Sequence, residues 1–212
     1  MKSLLSLFLF VNISVASYPA PTGPWSAGAW RPSETLPRWL GTAIQANGGS
    51  FWIGKDPSSY CPAGVDGLDC SLYPGDRTVF GNSNDTVSLV VAVPGGQESK
   101  SGSEVFSIPI IADMIYLIVY IAPDGALSYT APHSAYKPDG SITTGFWRVI
   151  SEAGGAPVVW GFHQGNTVAC PVNGTSGVYQ IYISINGSHS GCAAFEGRSY
   201  TLYPSTVSAW EY

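Results

Sequence analysis

Hydrophobic residues recur along this chain at alternate positions or in short dense runs. The cleanest alternation is Tyr179-Gln180-Ile181-Tyr182-Ile183-Ser184-Ile185, which puts Tyr179, Ile181, Ile183 and Ile185 on one face of a strand. Thr86-Val87-Ser88-Leu89-Val90-Val91-Ala92-Val93 is rich in β-branched residues and reads as a buried strand. Further strands are predicted at Phe51-Trp52-Ile53, Thr78-Val79-Phe80, 145–150, 157–162, 167–170, 193–202 and 207–210, most of them bounded by Gly, Pro, Asn or Asp. No stretch combines a helical period with helix caps. A strand–turn–strand unit sits at the centre of the chain. It runs from Ser88 into Pro94-Gly95-Gly96-Gln97, resumes near Tyr120, turns at Pro123-Asp124-Gly125 and continues from Ala126 to Thr130. Residues 98–119 interrupt it, beginning polar and ending densely apolar.

Short strands at this spacing predict an all-β protein, a single compact antiparallel β-sandwich or barrel. Hairpins recurring with Gly-containing turns keep a β-trefoil-like barrel as an alternative. The chain has 212 residues, enough for one domain with its own core. Only 11% are charged and 13% are aromatic, which suits a turn-rich β protein and excludes long disorder. The net charge of −5 excludes nucleic acid as a partner, since phosphate binding needs a basic surface.

The N-terminus reads as a secretory leader over residues 1–16. Lys2 supplies the positive end, Leu4-Leu5-Ser6-Leu7-Phe8-Leu9-Phe10-Val11 the apolar centre and Ser14-Val15-Ala16 the small residues before cleavage. The apolar run is too short to span a bilayer. The mature chain is expected to start near Ser17 and to lose the sequon at Asn12. Residues 17–47, rich in Pro, Ser and Gly with irregularly spaced Trp25, Trp30 and Trp39, read as an irregular N-terminal arm, loosely ordered or forming an irregular first strand. The β-domain is then expected over 48–212.

In an oxidising compartment Cys61, Cys70, Cys170 and Cys192 are a disulfide set with three pairings open. The local pairing, Cys61–Cys70 and Cys170–Cys192, closes two short loops and is preferred. No C-x₂-C spacing or nearby His favours a metal, and no cofactor is expected. Sequons at Asn84, Asn173 and Asn186 sit among turn residues, where a glycan can be carried at the surface.

An ordered series of motifs then stands out: Phe51-Trp52-Ile53-Gly54 with Tyr60-Cys61-Pro62, Val93-Pro94-Gly95-Gly96-Gln97, and Pro123-Asp124-Gly125-Ala126-Leu127 with Ala131-Pro132-His133-Ser134-Ala135-Tyr136. It continues with Val168-Ala169-Cys170-Pro171, Tyr179-Gln180-Ile181-Tyr182, Gly191-Cys192 and Ala209-Trp210-Glu211-Tyr212. Over roughly residues 47–212 this series resembles the small secreted IgE-binding-protein-like family of filamentous fungi. More distantly it is similar to the fungal cell-wall protein phiA group, which shares the Ala-Cys-Pro segment and the late Cys. The resemblance implies an extracellular or cell-wall, non-enzymatic protein of allergen or elicitor type, met by host immune or defence proteins.

Two segments depart from that pattern. The arm at 28–41 does not look like the family's first strand, and in the family Pro-Gly-Gly-Gln leads almost directly into the aromatic strand. Residues 99–119 are therefore an atypical insert. As a membrane span it is short and carries Pro109 and Asp113. As a natural loop it would expose Ile108, Ile110, Ile111, Ile115, Leu117 and Ile118. A translated intron is the preferred reading. Ser99-Lys100-Ser101 can encode a GTAAGT donor, Ala112-Asp113 a CTGAC branch point and Ile118-Val119 a terminal AG, with the frame kept. That reading predicts poor packing over 99–119, and a native transcript that keeps these codons would sink it.

Catalytic sets are not evident. Gly187-Ser188-His189-Ser190-Gly191 has His where a nucleophile elbow needs Ser. His133, His163 and His189 are at no zinc-binding spacing and read as polar loop residues. Asp66, Asp69, Asp76, Asp85, Asp124, Asp139, Glu152 and Glu196 are available for glycoside hydrolysis, which needs two carboxylates across a cleft, but nearly all fall where Asp caps a turn. Trp52, Trp147, Trp160, Trp210 and the tyrosines offer stacking platforms for sugars, although an all-β core also uses aromatics simply to pack. The expected functions are thus a secreted protein recognised by the host, a glycan-binding protein of the fungal wall, and last a hydrolase with a hidden site.

Overall fold

The computed structural model describes residues 18–19, 22–34, 36–93, 115–150, 157–187, 189–203 and 206–212. The leader with Asn12, Ser17, the Pro94–Gln97 turn, residues 98–114, Glu152 and Ser188 lie outside the described residues. The strands in chain order are β1 (Tyr18–Pro19), β2 (Trp25–Arg31), β3 (Trp39–Asn47), β4 (Ser50–Ile53), β5 (Phe80–Ser83), β6 (Thr86–Val91) and β7 (Ile115–Ile121). They continue with β8 (Leu127–Tyr129), β9 (Phe146–Ile150), β10 (Val158–Phe162), β11 (Asn166–Pro171), β12 (Tyr179–Ser184), β13 (Ala193–Ala194) and β14 (Glu196–Thr201). A single 3₁₀ turn, Cys70–Leu72, is the helical element among the described residues.

Seven of these strands close an antiparallel barrel. The ring runs β2–β5–β6–β7–β8–β4–β3 and returns to β2. Seven strands do not divide into three equivalent hairpin units, so the β-trefoil-like alternative is set aside. Closure depends on how β2 is shared. Gly28 pairs with Arg198 of β14 on one edge and Ala43 of β3 on the other, while Trp25 pairs with Thr201 and with Phe80 of β5. One edge of β2 therefore carries β14, and the other is split between β3 and β5. Where β3 peels away to pair with β4, side chains fill the gap. The Thr78 hydroxyl accepts from the Ala46 N–H at 2.7 Å and the Gln45 amide oxygen accepts from the Thr78 N–H at 2.8 Å.

Alternating side chains fill the barrel, in β4 and β12 as the sequence predicts and in β3 and β7 where it does not. Ile44 and Ala46 of β3, Phe51 and Ile53 of β4, Leu117, Val119 and Ile121 of β7, and Ile181 and Ile183 of β12 are all buried, with the residues between them more exposed. Burial of each such aliphatic side chain is worth about 1.5–3 kcal/mol. Two wings extend the ring. β14, β10, β9 and β1 continue outward from β2, and β12, β11 and β13 continue from β4.

Three expectations are corrected here. The described part of 17–47 is neither a loosely ordered arm nor a single irregular strand. It supplies β2 and β3, and Trp25, Ala29, Trp39 and Ile44 are among the core residues. Its strands escape a pattern search because Gly28 and Gly41 occupy positions where a Cβ would strike the Tyr200 ring. Small residues there mask the alternation. The insert 99–119 does not pack poorly at its C-terminal end. Ser88, Leu89, Val90 and Val91 of β6 pair with Ile118, Leu117, Tyr116 and Ile115, and Leu117 and Val119 are each 1% exposed. Residues 207–210 also differ from expectation, forming no strand of their own. The segment 206–212 instead docks on the barrel through backbone bonds from Ala92 and Val93 to Trp210 and between Tyr60 and Glu211.

Both disulfides take the local pairing, Cys61 with Cys70 and Cys170 with Cys192. The first pins the loop before the 3₁₀ turn. The second ties the end of β11 to the approach to β13.

Candidate functional site

A cleft of about 650 Å³ opens where the two wings diverge. The β10–β11 connection, His163-Gln164-Gly165, crosses it, because β10 belongs to one wing and β11 to the other. Gly165 lets that crossing sit against β12. A Cβ there would lie 2.7 Å from the Ile183 side chain and 2.9 Å from the Ser184 carbonyl oxygen.

Trp147 forms the apolar wall. On β9 the buried neighbours Phe146 and Arg148 point inward, so Trp147 between them points outward and stays half-exposed. Directly opposite it on β10 is Gly161, and a Cβ at that position would come within 2.6 Å of the indole. Without that Cβ the ring lies flat against the sheet, as when a cross-strand aromatic covers a strand glycine. His163 continues the surface, its ring centroid 6.5 Å from that of Trp147. Polar residues from three strands and their turns line the same cleft: Gln164, Asn166 and Thr167, then Ser184 and Asn186, then Glu196.

The cleft has a rigid back. Trp160 is 6% exposed, packs on Trp25 with ring centroids 6.2 Å apart, and donates its indole N–H to the Arg198 carbonyl at 3.1 Å. Arg148 donates to Ser199 Oγ at 2.8 Å and Thr201 Oγ1 at 3.1 Å and lies over the Trp25 ring. Burial pushes its guanidinium pKa down to about 10. On the wall itself, Arg198 Nε donates to Glu196 Oε1 at 2.8 Å, and its guanidinium stacks over Trp30 at 3.5 Å. That double hold orients the Glu196 carboxylate.

The structure thus brings together Trp147, Trp160, His163, Asn186 and Glu196, which lay far apart in the sequence as unconnected candidates. Others stay apart. Trp52 donates to the Asn47 carbonyl and is capped by the Lys55 ammonium at 3.4 Å, and Trp210 packs edge-on against Tyr73. His133 is in an exposed loop, while His189 lies on Tyr182 and within 3.1 Å of the Asp124 carbonyl oxygen. No group of His, Cys, Asp and Glu suited to a metal occurs among the described residues. Several acids cap turns. Asp69 accepts from Ser71 and Asp124 from the Ala126 N–H, while Asp85 accepts from the Gly145 N–H. Asp76 pairs with Arg77, whose hydrogen bond holds the Asp76 pKa below its ordinary value. Among the described residues lining the cleft, Glu196 supplies the one carboxylate. Sequence reasoning missed Gln164, Asn166, Thr167 and Ser184. The available signal was Trp147 and Gly161 at matching places in adjacent predicted strands.

The asparagines of these three sequons are all exposed. Asn84 is at the β5–β6 turn, Asn173 in the β11–β12 loop and Asn186 just beyond β12.

Fold and cleft together define a closed antiparallel β-barrel protein with an outward-facing aromatic platform. The chain is 30% identical over 224 residues to an uncharacterized secreted protein of the fungus Arthroderma benhamiae, a match spanning 99% of this chain and 98% of the relative. It belongs to the same family as that protein. No family model matches the chain, and no solved structure matches it. The relative's description supports secretion, as the leader at 1–16 predicts. No helix among the described residues is long and apolar enough to cross a membrane.

Proposed function

We propose that this is a secreted, glycosylated, non-catalytic protein of the fungal cell wall whose cleft binds a wall polysaccharide. The observation that carries this reading is the half-exposed Trp147 indole seated on Gly161 in a cleft that Gln164, Asn166, Asn186 and Glu196 also line. A pyranose offers an apolar C–H face and an equatorial rim of hydroxyls. An aromatic face takes the first, and amides and an oriented carboxylate take the second. Hydrolysis would call for a second carboxylate across the bond. The resemblance to the IgE-binding-protein-like family supports a further role as a target of host immune or defence proteins, which meet whatever the wall displays.

Retention of the secreted protein on insoluble chitin and β-glucan tests the binding reading. Retention should be lost on adding soluble oligosaccharide of the matching type and on Trp147→Ala. Retention on neither polymer, or retention unmoved by both competitor and variant, overturns it. Binding of host serum proteins that survives Trp147→Ala would assign host recognition to another surface.

A further inference from the structure

Trp147 stands between two cavities. The main cleft and a smaller hollow of about 10 Å³ both include Trp147, Trp160 and Gly161 in their walls. Each is also lined by the asparagine of an N-x-S/T sequon, Asn186 in the cleft and Asn84 in the hollow. Both asparagines are exposed and hold left-handed backbone, with φ of 57° and 51°. The third sequon asparagine, Asn173, lines neither cavity.

Resting on the glycan-binding reading above, we infer that an N-glycan on Asn186 docks against the Trp147 platform and gates the cleft as a tethered competitor. The first sugar of that glycan begins on the cleft wall itself. A sugar tethered this close acts as an intramolecular ligand at an effective concentration on the order of mM, enough to compete with a weakly held saccharide. If the tethered glycan covers the platform nine-tenths of the time, the apparent Kd for an external saccharide rises about tenfold. A glycan on Asn84 borders the far side of the same indole and narrows the approach by a smaller factor. A glycan on Asn173 leaves the platform open. Glycan occupancy thereby sets which secreted molecules are free to bind the wall.

The experiment compares full-length protein secreted from a glycosylating host with the variants Ser188→Ala, Asn84→Asp and Asn173→Gln. Ser188→Ala removes the sequon and leaves the Asn186 side chain in place. Mass spectrometry establishes occupancy, and titration with soluble chitin and β-1,3-glucan oligosaccharides gives Kd. Ser188→Ala should bind about tenfold tighter, Asn84→Asp tighter by less, and Asn173→Gln unchanged. Equal Kd for wild type and Ser188→Ala, with Asn186 shown to be occupied in the wild type, overturns the gating and leaves the glycan-binding reading standing. Asn186 found unoccupied also overturns it. Absence of binding by every form, the glycan-free variant included, sinks both.

Discussion

Trp25 is 1% exposed inside the barrel, stacked on Phe80 with centroids 4.7 Å apart; Trp147, on the wing, lies half-exposed across a glycine. The two residues differ in what covers them. Trp25 is on β2, paired along one edge with β14 and on the other with β5 and β3, and Trp160 and Arg148 also pack on it. Trp147 has a seat on Gly161 and keeps part of its surface exposed. Burial is so complete around Trp25 that its indole N–H finds no acceptor among the described residues, a cost of about 1–3 kcal/mol offset by packing. An aromatic enclosed on both faces holds the fold. One laid on a strand glycine at the margin of a sheet presents a face to a ligand.

Substitutions that break this contrast should differ first in kind. Leu117→Ala or Phe51→Ala removes a wholly buried barrel side chain and should cost about 2–5 kcal/mol in chemical denaturation. Saccharide affinity of the molecules still folded should be unchanged. Replacing Cys170 and Cys192 by Ser releases the wing loop and should lower stability by about 3 kcal/mol on the same measurement, with the barrel strands still forming. Trp147→Ala should reverse the pattern, weakening oligosaccharide binding about tenfold in calorimetry while the unfolding midpoint barely moves. Gly161→Val sharpens the comparison, because its side chain must lift the indole. Binding should fall although Trp147 is still present.

The smallest effect is one of pH. Burial raises the Tyr212 phenol above its ordinary 10.0, as the hydroxyl donates to the Arg77 carbonyl and accepts from the Val79 N–H. A raised folded-state pKa means that the folded protein holds the proton more tightly. Its contribution is complete below pH about 10 and is lost as pH rises beyond that value. The wild-type melting temperature should therefore drop faster than that of Tyr212→Phe above pH about 10. Equal slopes would show that the phenol is not buried in solution.

Much of the barrel was legible because alternation is a local property. Ile181 and Ile183, or Phe51 and Ile53, announce a strand and its buried face within a few residues. The local disulfides were legible for the same reason, each closing a short loop. Legibility failed where a strand's inward and outward signals were blurred. β2 and β3 carry glycines beneath Tyr200 and alanines at core positions, so the pattern around Trp25, Trp30 and Trp39 looked irregular. β7 is obscured for the opposite reason. An apolar run at the end of a polar insert shows no partner in the sequence, whereas in the fold β6 pairs with it on one side and β8 on the other, with Leu117 and Val119 buried. Leu117 and Val119 thus argue against removing residues up to 119, which sequencing the transcript across this junction will test.

By itself the sequence determined that the chain is built of short antiparallel strands and that its cysteines can close two local loops. Those features follow from side-chain periodicity, spacing and composition. Only the tertiary structure decided that seven strands close a ring, that β2 is shared between ring and wing, and which of the aromatics faces outward. The cleft depends on pairings such as Trp147 with Gly161, and on turns that carry Asn186 and Glu196 to the same wall. A strand's register against its neighbours is fixed by the packing of the whole ring, and no short window of sequence contains it.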